Sequence, residues 1–97
     1  MELNVTFRHM QPSEPIREHI VSRFEKLDKY LLKPESVHFV LETEKFRRRV
    51  EITLTDNGNR ITALEEGPDM YEAIDKALDK IKRQLDKHKQ KVISHRA

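Results

Sequence analysis

The chain has 97 residues, 36% of them hydrophobic and 37% charged, with a formal net charge of +2. This length suits one small domain and excludes a two-domain enzyme, and so small a core leaves little space for a deep catalytic pocket. There is no cysteine, which excludes disulfides, a thiolate nucleophile and a cysteine-based zinc site.

The first half of the chain predicts a strand, a helix and a second strand. Residues 2–8 alternate apolar and polar side chains, the period of a strand with one buried face. Ser13 is a suitable N-cap for the helix that follows. The apolar stripe of this helix consists of Ile16, Ile20, Phe24, Leu27 and Leu31. Residues 33–36 (Lys-Pro-Glu-Ser) are expected to end the helix, and alternation resumes at 37–41.

The second half predicts two more strands and one long helix. Alternation at residues 50–54 marks a third strand, and Asp-Asn-Gly-Asn at 56–59 supplies a tight turn into a fourth strand at about 60–66. Gly67-Pro68-Asp69 ends the sheet region, with Asp69 favourable at a helix N-terminus. The long helix runs from residue 71 to about 92. Its stripe is Met70, Ile74, Ala77, Leu78, Ile81, Leu85, His88 and Val92.

The predicted order of elements is therefore β-α-β-β-β-α. Because the strands alternate rather than run continuously apolar, one face of the sheet should carry both helices and the other should meet water. We predict an α+β, two-layer sandwich in which two helices cover one face of a four-stranded sheet. It forms a single domain over residues 1–97.

Charge is distributed unevenly along the chain. Residues 1–79 carry 12 Lys/Arg against 16 Asp/Glu, a net of −4, whereas residues 80–97 carry 7 against 1, a net of +6. Such asymmetry is typical of a protein with an anionic partner, nucleic acid first and a membrane surface second. A helix end whose lysines complement its dipole would give the same counts.

At about 100° per residue, each predicted helix has an apolar stripe with two flanks. Past the first turn, one flank of the second helix holds only cations: Lys76, Lys80, Arg83, Lys87 and Lys91. The other flank holds Asp75, Asp79 and Asp86, with Lys82 and Lys89. One side of the first helix holds His19, Arg23, Lys26, Tyr30 and Lys33. Because solvated helices generally mix the two signs, these basic ridges indicate a surface that follows phosphates.

Three consecutive arginines, Arg47, Arg48 and Arg49, stand at the start of the third predicted strand. A charged strand end that protects a sheet edge explains them, and a nucleic-acid contact is the alternative. With two Tyr, four Phe and no Trp, and most aromatics at core positions, the sheet lacks a base-stacking platform.

Other chemistry is not indicated. No two of the five histidines have the i,i+4 spacing of a helical metal pair, and Gly58 and Gly67 are each explained by a turn. We therefore expect no enzyme, metal, cofactor or small-molecule substrate. No apolar run approaches the about 18 residues of a membrane span, and the N-terminus lacks a signal-peptide pattern, so we expect a cytoplasmic protein without a membrane partner.

The second helix closely resembles the signature of the ribosome hibernation promoting factor family, which includes protein Y. The matching residues are Asp-Met-Tyr-Glu-Ala-Ile-Asp at 69–75 and Asp-Lys-Ile-Lys-Arg-Gln-Leu-Asp-Lys-His-Lys at 79–89. Shorter matches are Leu-Asn-Val-Thr at 3–6, Arg-Glu at 17–18, Lys-Leu-Asp-Lys-Tyr at 26–30 and Ile-Thr-Ala at 61–63. The resemblance covers essentially the whole chain.

This resemblance implies the same β-α-β-β-β-α fold and a specific function. It implies a translation inhibitor that binds the small ribosomal subunit, and so intact ribosomes, between head and body. There it competes with mRNA and with tRNA of the A and P sites, and keeps single or paired ribosomes inactive during stress and stationary phase. The implied mechanism is steric exclusion, anchored by lysine and arginine on 16S rRNA phosphates.

Carried over residue by residue, the resemblance assigns rRNA binding to Arg23, Lys26, Lys80, Arg83, Lys87, Lys89 and Lys91. Secondary candidates are Lys33, Lys76 and Lys82. Because the sequence ends at Ala97, just past the second helix, it resembles the short form of the family, which implies assistance in ribosome pairing.

The residue patterns are also compatible with two other functions. One is a structured-RNA binder arranged like a double-stranded-RNA-binding domain, and the other is a protein-interaction module whose basic ridges meet an acidic partner. A small α/β hydrolase of phosphate esters or acyl phosphates would need a glycine-rich anion loop or a convergent Arg/Asn pair, and the sequence shows neither.

Overall fold

The computed structural model describes the backbone of residues 1–96 and the side chains of residues 1–87. The elements are β1 (Glu2–Arg8), α1 (Glu14–Glu25), β2 (Pro34–Thr43), β3 (Arg48–Asp56), β4 (Asn59–Gly67) and α2 (Met70–Arg96). This is the predicted order, β-α-β-β-β-α. Within the described part of the chain, no helix is long and apolar enough to span a bilayer.

The four strands form one mixed sheet in the order β1-β2-β3-β4. Strand β1 pairs parallel to β2, with α1 as the crossover, and the other pairs are antiparallel. The register places Val5 beside Phe39, Phe39 beside Ile52 and Ile52 beside Ala63. Alternate residues of all four strands therefore project from one common face, and this face is the apolar one.

Both helices cover that face. The buried residues of α1 are Ile16, Ile20 and Phe24, and those of α2 are Met70, Ala73, Ile74, Ala77, Leu78, Ile81 and Leu85. The Phe24 ring meets the Phe39 ring edge to face, with centroids 6.1 Å apart. The two-layer sandwich is thus confirmed. Two members of the predicted α2 stripe, His88 and Val92, lie outside the described side chains.

The opposite face of the sheet meets water, as the alternation predicts. Asn4, His38, Thr53 and Thr62 form one row across the four strands, and all four are exposed or half-buried. Thr6 Oγ1 and His38 Nε2 lie 2.7 Å apart, joining β1 to β2 on this face.

The end of the first helix differs from its prediction. Helix α1 ends at Glu25. Beyond it, the Lys26 N–H donates to the Arg23 carbonyl at 3.3 Å and the Leu27 N–H donates to the Phe24 carbonyl at 2.9 Å, and a 3-10 turn follows at Asp28–Tyr30. The expected stop at residues 33–36 is wrong, because residues 34–36 belong to β2. The apolar spacing overestimates the length of the helix, because Leu27 stays buried beyond the helix end. The spacing indicates which residues are buried, not which residues have helical hydrogen bonds.

Local signals for the caps and the hairpin are confirmed. Ser13 Oγ accepts from the Ile16 N–H at 3.3 Å, and Asp69 Oδ1 accepts from the Tyr71 N–H at 3.2 Å. In the β3–β4 turn both central residues have positive φ, 52° at Asn57 and 77° at Gly58. Such angles match the twist of a two-residue hairpin and favour Asn-Gly.

One buried carboxylate has a larger role than the turn to which the sequence assigns it. Asp56 is 1% exposed. Its Oδ1 accepts from the Lys33 N–H at 2.8 Å, and both of its oxygens lie 3.1 Å from the Leu32 N. Asp56 therefore fastens the segment that enters β2 to the end of β3.

Candidate nucleic-acid interface

The cations of α2 lie on two sides of the helix. On the side next to β4, Lys80 Nζ lies 2.8 Å from Glu65 Oε1 and donates to the Leu64 carbonyl at 3.0 Å. One turn later, Gln84 Nε2 donates to the Thr62 carbonyl at 3.0 Å. Lys80 is thus attached to the edge strand of the sheet.

The other side of α2 faces the end of α1 across a groove of about 540 Å³. We call it the inter-helix groove. Its charged and aromatic lining is Arg23, Lys26, Lys29, Tyr30, Glu72, Asp75, Lys76, Asp79 and Lys82. The five cations outnumber the three carboxylates, so the groove has a net charge of +2. It is open to solvent and positive, as a surface for phosphates needs to be.

The Tyr30 ring lies beside two cations at this groove, one from the 3-10 turn and one from α2. The ring is half-buried and packs against the core, with Lys29 Nζ 5.4 Å and Lys82 Nζ 5.7 Å from the ring centroid. Both distances fall within the range of cation–π attraction. Lys29 is not among the predicted site residues, because a continuous helix would place it off the basic side. The 3-10 turn brings it to the groove.

Asp75 joins the two helices at the wall of the groove. Its Oδ1 lies 2.8 Å from His19 Nε2 and 3.8 Å from Arg23 Nε. The acidic flank of α2 therefore faces the cations of α1. The helical phase of α2 alone does not predict this contact.

Three cations of the predicted α2 ridge each have a carboxylate neighbour. Besides Lys80, Lys76 Nζ lies 3.0 Å from Glu72 Oε1, and Arg83 Nη2 lies 3.7 Å from Asp79 Oδ2. The hydrogen bond from Lys80 lowers the pKa of Glu65, and the bond to Glu72 raises the pKa of Lys76. Solvent screens exposed pairs of this kind, so they are weak and phosphates can replace these carboxylates.

The structure separates the predicted site residues into groups. Arg23 and Lys26 share the inter-helix groove with the secondary candidates Lys76 and Lys82. Lys80 lies at the β4 edge, and the side chains of Arg83 and Lys87 are exposed on α2. Lys33 is exposed beside Asp56, outside the groove lining. Lys89 and Lys91 lie outside the described side chains.

Comparison with known proteins assigns a family. The model of the family described as "Sigma 54 modulation protein / S30EA ribosomal protein" matches residues 3–93. The ribosome hibernation promoting factor of Escherichia coli K12 is 42% identical over 95 residues, covering 98% of this chain and 100% of the relative. The Pseudomonas putida factor of the same name is 34% identical over 91 residues, covering 94% and 89%.

Solved structures agree with the fold. The N-terminal domain of Thermus thermophilus Protein Y superposes with a TM-score of 0.83 at 27% identity, covering 91% of this chain and 99% of that one. A ribosomal subunit interface protein from Coxiella burnetii gives 0.82 at 22% identity, covering 93% and 99%. These matches confirm the resemblance seen in the sequence, and the chain belongs to the Sigma 54 modulation protein / S30EA ribosomal protein family.

Proposed function

We propose that this chain is a cytoplasmic, non-enzymatic translation inhibitor that acts as a single ribosome-binding domain. It binds the small ribosomal subunit in the channel used by mRNA and by tRNA of the A and P sites. Bound there, it keeps single or paired ribosomes inactive during stress. Its family and its relatives named ribosome hibernation promoting factor support the ribosome as the partner.

The observation that carries the proposal is the inter-helix groove. It brings the cations of α1 together with those of α2 around the Tyr30 ring. Each Lys or Arg that contacts a phosphate releases condensed counterions, which favours binding to RNA without reading its bases. Positive groups on two elements that converge on one groove suit the curved backbone of a folded RNA.

The proposed mechanism requires no bond to be made or broken. Arg23, Lys26, Lys80, Arg83, Lys87, Lys89 and Lys91 hold rRNA phosphates, with Lys76 and Lys82 as secondary contacts. The third secondary candidate, Lys33, lies outside the groove lining and is not needed for this mechanism. The folded domain then occupies the space that mRNA and tRNA need. Inhibition follows because the charge of the domain holds it on the rRNA and its volume excludes tRNA from the same space.

The first experiment is co-sedimentation of the purified chain with small subunits and with intact ribosomes across a salt series. We expect binding of about one copy per ribosome that weakens as salt rises and that mRNA with initiator tRNA reduces. Absence of binding at low salt would reject the proposal. Equal affinity for any long RNA duplex would support a generic structured-RNA binder instead.

Charge reversal then tests the surface. One variant carries Lys80→Glu, Arg83→Glu and Lys87→Glu, and a second carries Arg23→Glu, Lys26→Glu and Lys82→Glu. Both are expected to lose ribosome association at moderate salt while keeping the helical circular dichroism of the parent, because these six side chains are exposed. Arg8→Glu with Arg60→Glu is the control for charge reversal elsewhere on the surface, since these exposed arginines lie on strands and outside the groove lining. Equal binding by all three variants would contradict the assignment.

A further inference from the structure

The β2–β3 hairpin presents an aromatic ring to solvent. Its tip, residues 44–47, is closed by hydrogen bonds from the Glu44 N–H to the Arg47 carbonyl at 2.9 Å and from the Arg47 N–H to the Glu44 carbonyl at 3.3 Å. Phe46 at this tip is 86% exposed, more than any other large hydrophobic residue in the described part of the chain. The closed turn holds the ring in water, and the fold itself does not use it.

Phe46 forms one wall of a notch of about 420 Å³. The notch is lined by Phe46, Arg47, Glu66, Gly67 and Pro68. A side chain at Gly67 would meet nothing within 4 Å, so this part of the lining is open. The notch thus combines two apolar rings, those of Phe46 and Pro68, with two charged groups.

The tip is also positively charged. Glu44, Lys45, Arg47, Arg48 and Arg49 give residues 44–49 a net charge of +3, and Glu66 reduces it to +2. Glu66 binds Arg47 Nη1 at 3.1 Å and lies 4.0 Å from Arg49 Nε. It therefore orients Arg47 at the notch, where 70% of the Arg47 side chain stays exposed.

Arg48 stabilises the hairpin turn through hydrogen bonds to its backbone. Its Nη1 donates to the carbonyls of Glu44 and Arg47, at 3.3 and 3.4 Å. These bonds reinforce the turn that holds Phe46 outward. The arginine triplet is thus divided: Arg48 supports the tip, whereas Arg47 faces the notch.

This tip is remote from the Tyr30 end of the inter-helix groove. Strand β2 runs from Pro34, just after the 3-10 turn that borders the groove, to Thr43 at the tip. Its ten residues span roughly 30 Å at about 3.3 Å per residue. The tip therefore lies at the far end of β2 from the Tyr30 side of the groove, and the notch and the groove share no lining residue.

We propose that the notch binds an unpaired nucleobase of single-stranded RNA. The base stacks on the Phe46 ring against Pro68, and Arg47 and Lys45 contact the adjacent phosphates. A planar apolar surface beside cations matches the alternation of base and phosphate along a single strand. A duplex hides its bases from such a ring, so the tip prefers unpaired RNA. This proposal goes beyond the proposed function, since it requires single-stranded RNA and not a ribosome.

A tryptophan reporter tests the stacking directly. The chain has no Trp, so Phe46→Trp provides a single fluorophore at the notch. We expect saturable quenching by an eight-nucleotide single-stranded RNA and little change with the same sequence in a duplex. Equal quenching by both, or quenching by neither, would overturn the proposal.

Affinity measurements separate stacking from a general apolar contact. Binding of a labelled single-stranded RNA is followed by fluorescence anisotropy in the Arg23→Glu, Lys26→Glu, Lys82→Glu background. These substitutions reverse three charges of the groove, so that it no longer attracts RNA. In that background Phe46→Ala is expected to weaken binding by about 5- to 150-fold, the range of base–aromatic stacking. Phe46→Tyr should retain binding, and Phe46→Leu should lose it as Ala does. Full binding by Phe46→Leu would overturn stacking, because it would show that any large apolar side chain at this position is sufficient.

The two sites are distinguished by the same set of proteins. The groove triple variant with Phe46→Trp should lose small-subunit binding and still show quenching by the single strand. If reversal of the groove charges abolishes quenching, the notch is not an independent site and the proposal is wrong. Loss of ribosome binding alone bears only on the proposed function.

Discussion

His19 of α1 and Asp75 of α2 are joined by a hydrogen bond, with 2.8 Å between His19 Nε2 and Asp75 Oδ1. The His19 ring also meets the Tyr71 ring edge to face, with centroids 5.0 Å apart. These contacts set the position of α1 against α2 at the point where the inter-helix groove begins. The width of the groove therefore depends on a polar contact as well as on core packing.

The His19–Asp75 contact is expected to couple the two helices measurably. His19→Ala and Asp75→Ala should each lower the free energy of unfolding, and the double variant should lose less than both together, with a coupling of about 0.5–1 kcal/mol. Urea denaturation of the four proteins measures this cycle. Strictly additive losses would show that the contact does not stabilise the helix pair.

Core substitutions in α2 should be costly. Ile74 and Leu85 are 0% and 1% exposed, so Ile74→Ala or Leu85→Ala should reduce the free energy of unfolding by about 2–5 kcal/mol. Leu64→Ala is the control, because Leu64 is 43% exposed on the open face of the sheet and should change stability by about 0.5 kcal/mol or less. An unaltered melting temperature in the core variants would mean that α2 packs through another face.

The Asp56 side chain should be difficult to replace, even by asparagine. An amide has one oxygen to accept the bonds that two carboxylate oxygens now take from Leu32 and Lys33, and its NH₂ group would face an N–H. Asp56→Asn should therefore destabilise the fold by about 1–3 kcal/mol. Amide hydrogen exchange at Leu32 and Lys33 should accelerate along with the loss in stability. Unchanged exchange would contradict the fastening role.

The Glu65–Lys80 pair gives a pH-dependent contribution to stability. The hydrogen bond from Lys80 lowers the pKa of Glu65 below its ordinary value of 4.5, so the folded state holds this proton less tightly than the unfolded state. The stabilisation is present above the ordinary value and is lost as pH falls through the folded one. The melting temperature of the parent should exceed that of Glu65→Gln near neutral pH, and the gap should close on acidification. A constant gap would contradict the pairing.

Two secondary candidates should differ in ribosome binding. Lys82 lines the inter-helix groove and Lys33 does not. Lys82→Ala is expected to reduce the slope of log affinity against log salt by about 0.7–0.9, the effect of one lost phosphate contact. Lys33→Ala is the matched control and should leave the slope unchanged. Equal effects of both substitutions would indicate that RNA follows another path across the domain.

The sequence predicts the sheet better than it predicts the end of α1. Residues 2–8 form β1 as expected, because strand alternation records which side chains face the core. Asn57-Gly58 specifies its turn through local backbone geometry alone. The α1 boundary depends instead on where Leu27 finds space after the helix ends, which is a tertiary effect that apolar spacing does not encode.

The candidate site was predictable only within each helix. Helical phase groups Lys80 with Arg83, but it does not show that Glu65 of β4 lies beside Lys80. Lys29 enters the groove through the 3-10 turn, which the helical pattern missed. Phe46 was not recognised as an exposed ring, because its exposure depends on how Arg48 closes the hairpin tip.

The contacts of Lys80 and Gln84 with β4 also affect how the molecule behaves in a crowded solution. The carbonyls of Thr62 and Leu64 are the groups through which a strand from another copy would add to this edge, and both already accept a side-chain donor of α2. Self-association through β4 therefore requires α2 to release them first. A variant that removes Lys80 to weaken RNA binding also uncovers this edge, so its solubility should be measured before its affinity.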